Sequence, residues 1–404
     1  MRAVLRIPLA IVGLLVLAWI GWTTIQVTRA DALAETDPEA ALRIDPDHPQ
    51  ALLRIAWRQL GNDQNDAAMA TARHLLAVEP GQGDAFAVLA LAAARRGDAN
   101  ADALAKIALQ RAPRVRDLRT QQAAEALKAG DLPMAMAQID ALLRLTPSRG
   151  KTLYPALAQQ AADPAFAEAI ASTLAADPPW RTRFLGNLNA KGSPAAVDQV
   201  YSALRRRGEL PEAETARWLD RMLADGRWGE AYAHWVGTLG PVQSIGLVRN
   251  GGFEGEPSGM GFGWRNTRVA GVFTDIIEGA GSKGSRGAHI HFIARPAARG
   301  NLRQPLLLAP GRFRLSLQAR AEFLRSDQGL QWAIRCHKGR RIAVLGPLEG
   351  SFDWRTLSVD FEVPTEKCPG QWLELVNPAV RGSAQQVSGD LWVDDVSITP
   401  MPAP

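Results

Sequence analysis

Cysteine is nearly absent from this chain of 404 residues, with two in all, so a small fold held by many disulfides is excluded. An excess of one charge is missing too. Lys and Arg number 46 against 41 Asp and Glu, a net +5 with no lysine-rich run or basic cluster, and this gives no electrostatic case for a nucleic-acid partner. Chemistry-bearing motifs are also lacking. There is no Gly-x-Ser-x-Gly elbow, no His-Glu-x-x-His helix and no paired Cys-x-x-Cys. The glycine-rich stretch 279–285 has neither the strand before it nor the helix after it that would aim amide N–H groups at a phosphate. No pair of carboxylates can be singled out as the acid and base of a glycosidase. The expectation is therefore a binding protein and not an enzyme. With 47% hydrophobic and 22% charged residues the chain is not disordered, and its length calls for more than one core.

What is present begins with an apolar segment. Residues 7–22 carry no charge, and 23–27 extend the run to about the twenty residues that cross roughly 30 Å of hydrocarbon. Arg2 and Arg6 precede it, whereas Arg29, Asp31, Glu35 and Asp37 follow, so the positive-inside bias places the N-terminus in the cytoplasm and the bulk of the chain beyond the membrane. Trp19 and Trp22 fit interfacial anchors or lipid-facing residues equally. A transmembrane helix over about residues 7–27, in an anchor segment 1–28, is the first reading. A cleaved signal peptide ending near Ala32-Leu33-Ala34 is the alternative, although Arg29 and the distance to that site weigh against it. Either sends the rest to the same compartment, the periplasm if the membrane is a bacterial inner membrane.

From residue 31 to 240 the sequence is rich in Ala, Leu and Arg, with helical periodicity broken by Gly, Asp and Pro. Pro46, Pro80, Pro113 and Pro147 stand 34, 33 and 34 residues apart, the period of a helix-turn-helix solenoid. Twelve residues before each lies an alanine: Ala34, Ala68, Ala101 and Ala135. Small side chains suit the close approach of two antiparallel helices. This pattern resembles the tetratricopeptide repeat family, as do the Gly130-Asp131 turn before Ala135 and Gly226 before Ala231 and Trp235. The resemblance implies an α-solenoid whose groove takes a peptide or a partner protein. The large aromatic and Leu-Gly pair of that family's first helix are mostly replaced, and the register is lost over 151–210, before a last hairpin at 211–239. The alternative is that the array merely spaces the anchor from the distal domain. His48, His74 and His234 lack a second ligand at metal spacing and read as structural.

After Gly240-Pro241 the period changes to two. Runs at 288–293, 311–319, 329–336, 354–363, 371–375 and 391–398 alternate like strands, with no helix-length segment between them, so residues 246–400 form an antiparallel β-sandwich or jelly roll. The fold class is thus a multidomain chain, α then β. The opening Asn250-Gly251-Gly252-Phe253-Glu254 with Trp264, the Pro310-Gly311 turn and the closing Trp392-Val393-Asp394-Asp395-Val396 resemble the galactose-binding-like jelly rolls that include many carbohydrate-binding modules. In many relatives a structural calcium joins the first motif to the last strand, and the resemblance implies Glu254 with Asp394 or Asp395 as side-chain ligands. Alternation puts Asp394 on the apolar side unless a bulge intervenes. Hydrogen bonds from the glycine-rich opening loop at 250–254 or from an arginine would satisfy it as well as calcium.

Sugar recognition asks for an aromatic face with planar polar groups at its rim. Trp332 with Arg335 and His337, and Trp372 with Glu374, are the strand candidates, while Trp264, Trp354 and Trp392 are assigned to the core. From residue 241 onward 19 Lys and Arg face 15 Asp and Glu, a balance that favours an acidic glycan or simply a soluble surface. His289 and His291 share a face but lack a third ligand in sequence. Cys336 and Cys368 are expected to pair, in an oxidising compartment, or to remain two buried thiols. Together these features predict a membrane-anchored periplasmic scaffold with a protein-docking array and a glycan-binding sandwich, serving assembly or export of a polysaccharide. The alternative is a purely protein–protein adaptor of an inner-membrane complex.

Overall fold

The computed structural model describes residues 6–240, 245–282, 286–380 and 385–402, with side chains of the first helix from residue 13 onward. The chain divides into two compact units, Met1–Leu188 and Asn189–Pro404.

The first unit is helical. Its antiparallel pairs are α1 (Arg6–Ala34) with α2 (Pro38–Ile44), α3 (Pro49–Gly61) with α4 (Asn65–Val78), α5 (Gly83–Arg96) with α6 (Ala101–Arg111), and α7 (Arg116–Ala129) with α8 (Leu132–Leu145). The four periodic prolines each lie one residue past a C-cap, after α2, α4, α6 and α8, where a proline cannot continue the helix. Two of the second helices, α2 and α8, open on aspartate caps: the Asp37 carboxylate accepts from the Ala40 amide at 2.9 Å and Asp131 from the Met134 amide at 3.0 Å, and Gly130 closes α7 at φ 75°, a left-handed turn that costs glycine nothing. Ala34, Ala68 and Ala135 are fully buried in the helix contacts. Ala101 is not; it opens α6 partly exposed, and Ala105 and Ala108 make the close approach instead.

Helices continue where the sequence register fades, through α9 (Gly150–Gln160), α10 (Pro164–Ala175), which packs on α8, and α11 (Arg181–Lys191). Here aromatic side chains replace the alanine contact: Trp180 stacks on Tyr154 at 6.4 Å and meets Phe184 edge-on at 6.0 Å. Larger residues space the helices differently, so the 34-residue rhythm is lost while the packing is not.

The apolar run lies in α1. Among the described residues no helix is long and apolar enough to cross a membrane, and the side chains of residues 7–12 lie outside them. The described part carries exposed Leu14, Leu15, Leu17, Trp19, Trp22, Ile25 and Val27.

The second unit contains α12 (Pro194–Arg206), α13 (Glu212–Asp225), α14 (Trp228–Val236) and a sandwich of two five-stranded antiparallel sheets. Its strands are β1 (Arg265–Asn266), β2 (Val272–Glu278), β3 (Arg286–Pro296), β4 (Arg299–Leu306), β5 (Gly311–Arg325), β6 (Leu330–Cys336), β7 (Arg341–Leu348), β8 (Gly350–Val363), β9 (Gln371–Val376) and β10 (Gln386–Pro400). The orders are β1-β4-β9-β6-β7 and β2-β3-β10-β5-β8. Alternate residues of both sheets meet between them, with Trp264, Trp332, Leu315, Leu317, Leu373 and Leu391 in the core. Helices α12 to α14 thus belong with the sandwich, so the expected boundary near residue 240 is not where the compact units part. The linker residues 241–244 and the tail of the 279–285 loop lie outside the described residues.

The reason is packing. The Trp228 ring of α14 is 1% exposed and meets Phe262, His337 and Trp372 at centroid distances of 6.0, 5.3 and 5.8 Å. Trp235 packs on Phe262 and Tyr232. Two glycines make the approach possible: a Cβ on Gly370 would collide with Trp228, and one on Gly261, itself at φ 54°, with Trp235. Arg265 of β1 pairs with Asp220 of α13 across the same contact.

Candidate functional site

The first sheet is the expected carrier of the sugar platform, and the structure removes most of it. Trp332 is 0% exposed in the core, edge-on to Trp264 at 6.0 Å, because its strand register turns it inward; it presents no face to a ligand. Trp372 does lie on the outward face, but Trp228 meets it from one direction and the Arg303 guanidinium stands 4.4 Å over its ring. His337 packs on Trp228, and burial holds its pKa below the usual histidine range, with Lys338 adding to the effect. Glu374 is 6% exposed and accepts from Arg335 Nε at 3.1 Å. Arg335, Trp372 and Glu374 are therefore brought together, under a covering that alternation within single strands does not reveal.

The outward face of the second sheet is the more open surface. Cross-strand register aligns His289 of β3, Trp392 of β10 and Arg320 of β5. His289 stacks on the indole at 4.6 Å with 15° between planes, and the Arg320 guanidinium lies 4.8 Å from the ring centroid. Trp392, assigned to the core from the sequence, is instead held on edge between two cross-strand neighbours, and Trp354 is partly exposed; of the three only Trp264 is a core residue. One row away, Asp390 accepts from His289 and His291, each at 2.7 Å. Burial pushes the Asp390 pKa up, yet the two imidazole hydrogen bonds outweigh it and hold the carboxyl below its ordinary range. The third partner of His289 and His291, absent from their neighbourhood in sequence, is this aspartate about a hundred residues on.

Beside the stack, in the opposite direction along β10, lies a cleft of about 400 Å³ lined by Gly251, Ser316, Gln318, Thr356, Asp395 and Ser397. Hydroxyl, amide and carboxylate groups dominate it, with Gln318 donating to Thr356 Oγ1 at 2.8 Å. Such a surface offers planar hydrogen-bonding groups to a ligand rich in hydroxyls.

The bulge invoked for Asp394 exists. The β10 register breaks between Asp394 and Ser397, with Asp395 at φ 49°. Asp394 is completely buried, and its Oδ2 accepts from the Ser282 amide at 2.7 Å and hydroxyl at 3.0 Å while Oδ1 accepts from the Asp395 amide at 2.7 Å. The donors are Ser282, far from the glycine-rich opening loop at 250–254, and the next amide of β10, so neither that opening loop nor an arginine is what bonds this carboxylate. Glu254 is exposed and engages Arg286, and among the described residues no group of three or more His, Cys, Asp or Glu is assembled as a metal site. Cys336 and Cys368 form a disulfide with Cα atoms 4.9 Å apart.

In the helical unit, a cleft of about 380 Å³ is lined by Trp57, Leu60, Leu91, Arg95, Thr120 and Gln121 from α3, α5 and α7, the first helices of successive pairs. A second, of about 530 Å³, is lined by Leu127, Leu132, Ile139, Leu153, Leu157 and Phe166. His48 and His74 bond to Asp31 and Asp47, and in the second unit His234 stands against the Trp218 ring at 4.5 Å.

No protein-family model matches the chain, and no curated protein does. Solved structures to which it is similar include a CBM4 domain, 16% identical, where 38% of this chain covers 99% of that chain at a TM-score of 0.29. A family 16 carbohydrate-binding module is 15% identical, with 38% of this chain over 99% of that one and a TM-score of 0.28. YrrB, a TPR protein with an unusual peptide-binding site, is 11% identical, with 50% of this chain over 98% of that one and a TM-score of 0.28.

Proposed function

We propose that this protein is a membrane-anchored, non-catalytic scaffold whose helical array docks a partner protein or peptide and whose sandwich contacts a glycan through the outward face of the second sheet. The observation that carries the glycan half is the 400 Å³ polar cleft beside the His289–Trp392–Arg320 stack. Stacked planar groups are rigid before any ligand arrives, so little rotamer entropy is lost on binding. The array half rests on the cleft lined by α3, α5 and α7, which joins apolar Trp57, Leu60 and Leu91 to polar Arg95, Thr120 and Gln121, a mixture suited to a peptide backbone and its side chains. Assembly or export of an envelope or secreted polysaccharide is the process that would need all three parts in one chain.

Affinity electrophoresis of residues 189–404, which keep α12 to α14 over the first sheet, tests the sugar contact. Q318A and T356A together are expected to weaken retardation by a bound polysaccharide about tenfold, the loss of one or two good hydrogen bonds. Failure of every neutral and acidic polysaccharide to retard the protein would remove the glycan half. The adaptor reading would then stand, and it has its own support in the covering of Trp372 and His337 by the chain's own helix.

Anchoring is supported by the exposed apolar side chains of α1, and placement outside the cytoplasm by the disulfide, which persists in oxidising compartments. In membranes washed with alkaline carbonate the intact chain is expected to stay in the pellet, and a chain lacking residues 1–28 to move to the supernatant. Release of the intact chain would defeat the anchor.

A further inference from the structure

The outward face of the first sheet is crowded with arginine. Register places Arg265, Arg299, Arg303, Arg335 and Arg341 there, together with Trp372 and Glu374. Two of these cations are paired, Arg265 with Asp220 and Arg335 with Glu374. Arg299 and Arg303 have no ion-pair or hydrogen-bond partner among the described residues. Arg299 is exposed, so water serves it. Arg303 is half-buried, its guanidinium lies over the Trp372 ring, and its Nε is buried without an acceptor.

Arg303 is not alone in this. Around the same tryptophan, Trp228 Nε1 and Arg265 Nε are likewise buried with no hydrogen-bond partner. The Arg265 guanidinium is 5.7 Å from the Trp372 ring, Trp228 is 5.8 Å from it, and His337 is 5.3 Å from Trp228. Buried polar nitrogens are nearly always satisfied, and several orphans gathered at one place mark a missing acceptor. Glu374 and Asp220 act on Arg303 only through space, while Arg299 and Arg265 repel it, so burial and its neighbours together press its pKa below the usual arginine value.

We propose that this corner of the first sheet is an oxyanion-binding site, with Arg303 as the principal ligand and Arg299 at its mouth, for a carboxylate or sulfate group. A guanidinium fork presents parallel N–H donors to either group. The group can arrive on an acidic saccharide or as a free ion. The saccharide source rests on the sandwich contacting sugar at all; the ion source does not.

The test uses the full chain in detergent. Polygalacturonate is the polymer probe, dextran the neutral control and sodium sulfate the free anion. R299Q and R303Q are compared with the unaltered chain, with near-ultraviolet circular dichroism verifying the fold. Arg299 is exposed, so its variant keeps the test valid if R303Q misfolds. Polygalacturonate binding is expected to weaken about tenfold in R303Q and severalfold in R299Q, and to fall with added sodium chloride, with dextran unaffected. Sulfate stabilises proteins generally, so the reading is the difference: a larger rise in melting temperature for the unaltered chain than for either variant. A sulfate difference without polymer binding supports the site and assigns it to a free anion. Unchanged polymer affinity and an unchanged sulfate response in both variants would overturn it.

Discussion

Replacing Trp228 by alanine is expected to destabilise the sandwich-bearing unit by about 3 kcal/mol, seen as a melting temperature lower by roughly 6–12 °C for a domain of this size. The ring is 1% exposed and touches Phe262, His337 and Trp372. Deleting a buried tryptophan costs about 3–5 kcal/mol through lost transfer energy and the cavity left behind. The lower end applies here because the indole N–H has no acceptor, so its removal returns part of the loss. Gly370 leaves the space beneath the ring that a Cβ would fill, so little nearby can move in to close the cavity. Urea titrations following helical ellipticity and tryptophan fluorescence together give the measurement. In residues 189–404 with Trp228 intact the two signals should coincide, because α14 packs on the outward face of the first sheet. Exposed Phe273→Ala should cost under about 0.5 kcal/mol and serves as the control. A loss below about 1 kcal/mol for Trp228 would mean that α14 does not dock on the sheet.

Removing the disulfide by C336S with C368S is expected to cost about 3–4 kcal/mol. The cysteines are 32 residues apart, and chain-entropy accounting for a loop of that length gives roughly 3.7 kcal/mol at room temperature. The closed segment holds β7 and β8 and returns to β9, so the bridge ties the end of β6 to its lateral neighbour across two intervening strands. Gln371, paired in register with Cys336, is bonded through its side chain to Leu308 and to the Cys368 carbonyl, which keeps that turn ordered on both sides. Thermal melts with and without reductant provide the comparison. The reduced unaltered protein should match the double serine variant, and a difference under about 1 kcal/mol between oxidised and reduced forms would show that the loop is pinned without the bridge.

Several elements are legible in the amino-acid order alone. Pro46, Pro80, Pro113 and Pro147 end helices because proline lacks an N–H and clashes one turn back, a purely local rule. Five of the six alternating runs fall within strands and the sixth, 329–336, overhangs β6 by Gly329 alone, and the cysteine pair is joined. The short β1 and the strands β2, β4 and β7 escape such a reading, since their residues, such as Arg299, Arg303 and Gly300 in β4, break the apolar alternation. Their polar side chains are accommodated by partners distant in sequence, as Asn301 is by Thr274.

The candidate site shows where local reading ends. Alternation of Trp332 and Trp372 with their neighbours places them on opposite faces, but it cannot say which face is covered. Alternation groups Trp392 with Asp394, Val396 and Ile398 on one face, but the bulge between Asp394 and Ser397 breaks that parity, so the latter three are buried while Trp392 stands outward beside buried Val393. Its ring is held outside by His289 and Arg320, residues supplied by other strands.

Periodicity and backbone restrictions are encoded residue by residue, so helix pairs, strand runs, an apolar leader and a plausible cysteine pair can be read from the chain. The covering of Trp372 by Trp228, the gathering of unpartnered nitrogens around it and the His289–Trp392–Arg320 stack join residues up to about 145 positions apart. Such contacts depend on which faces meet once both sheets and the last helices have packed, and only the folded arrangement decides that.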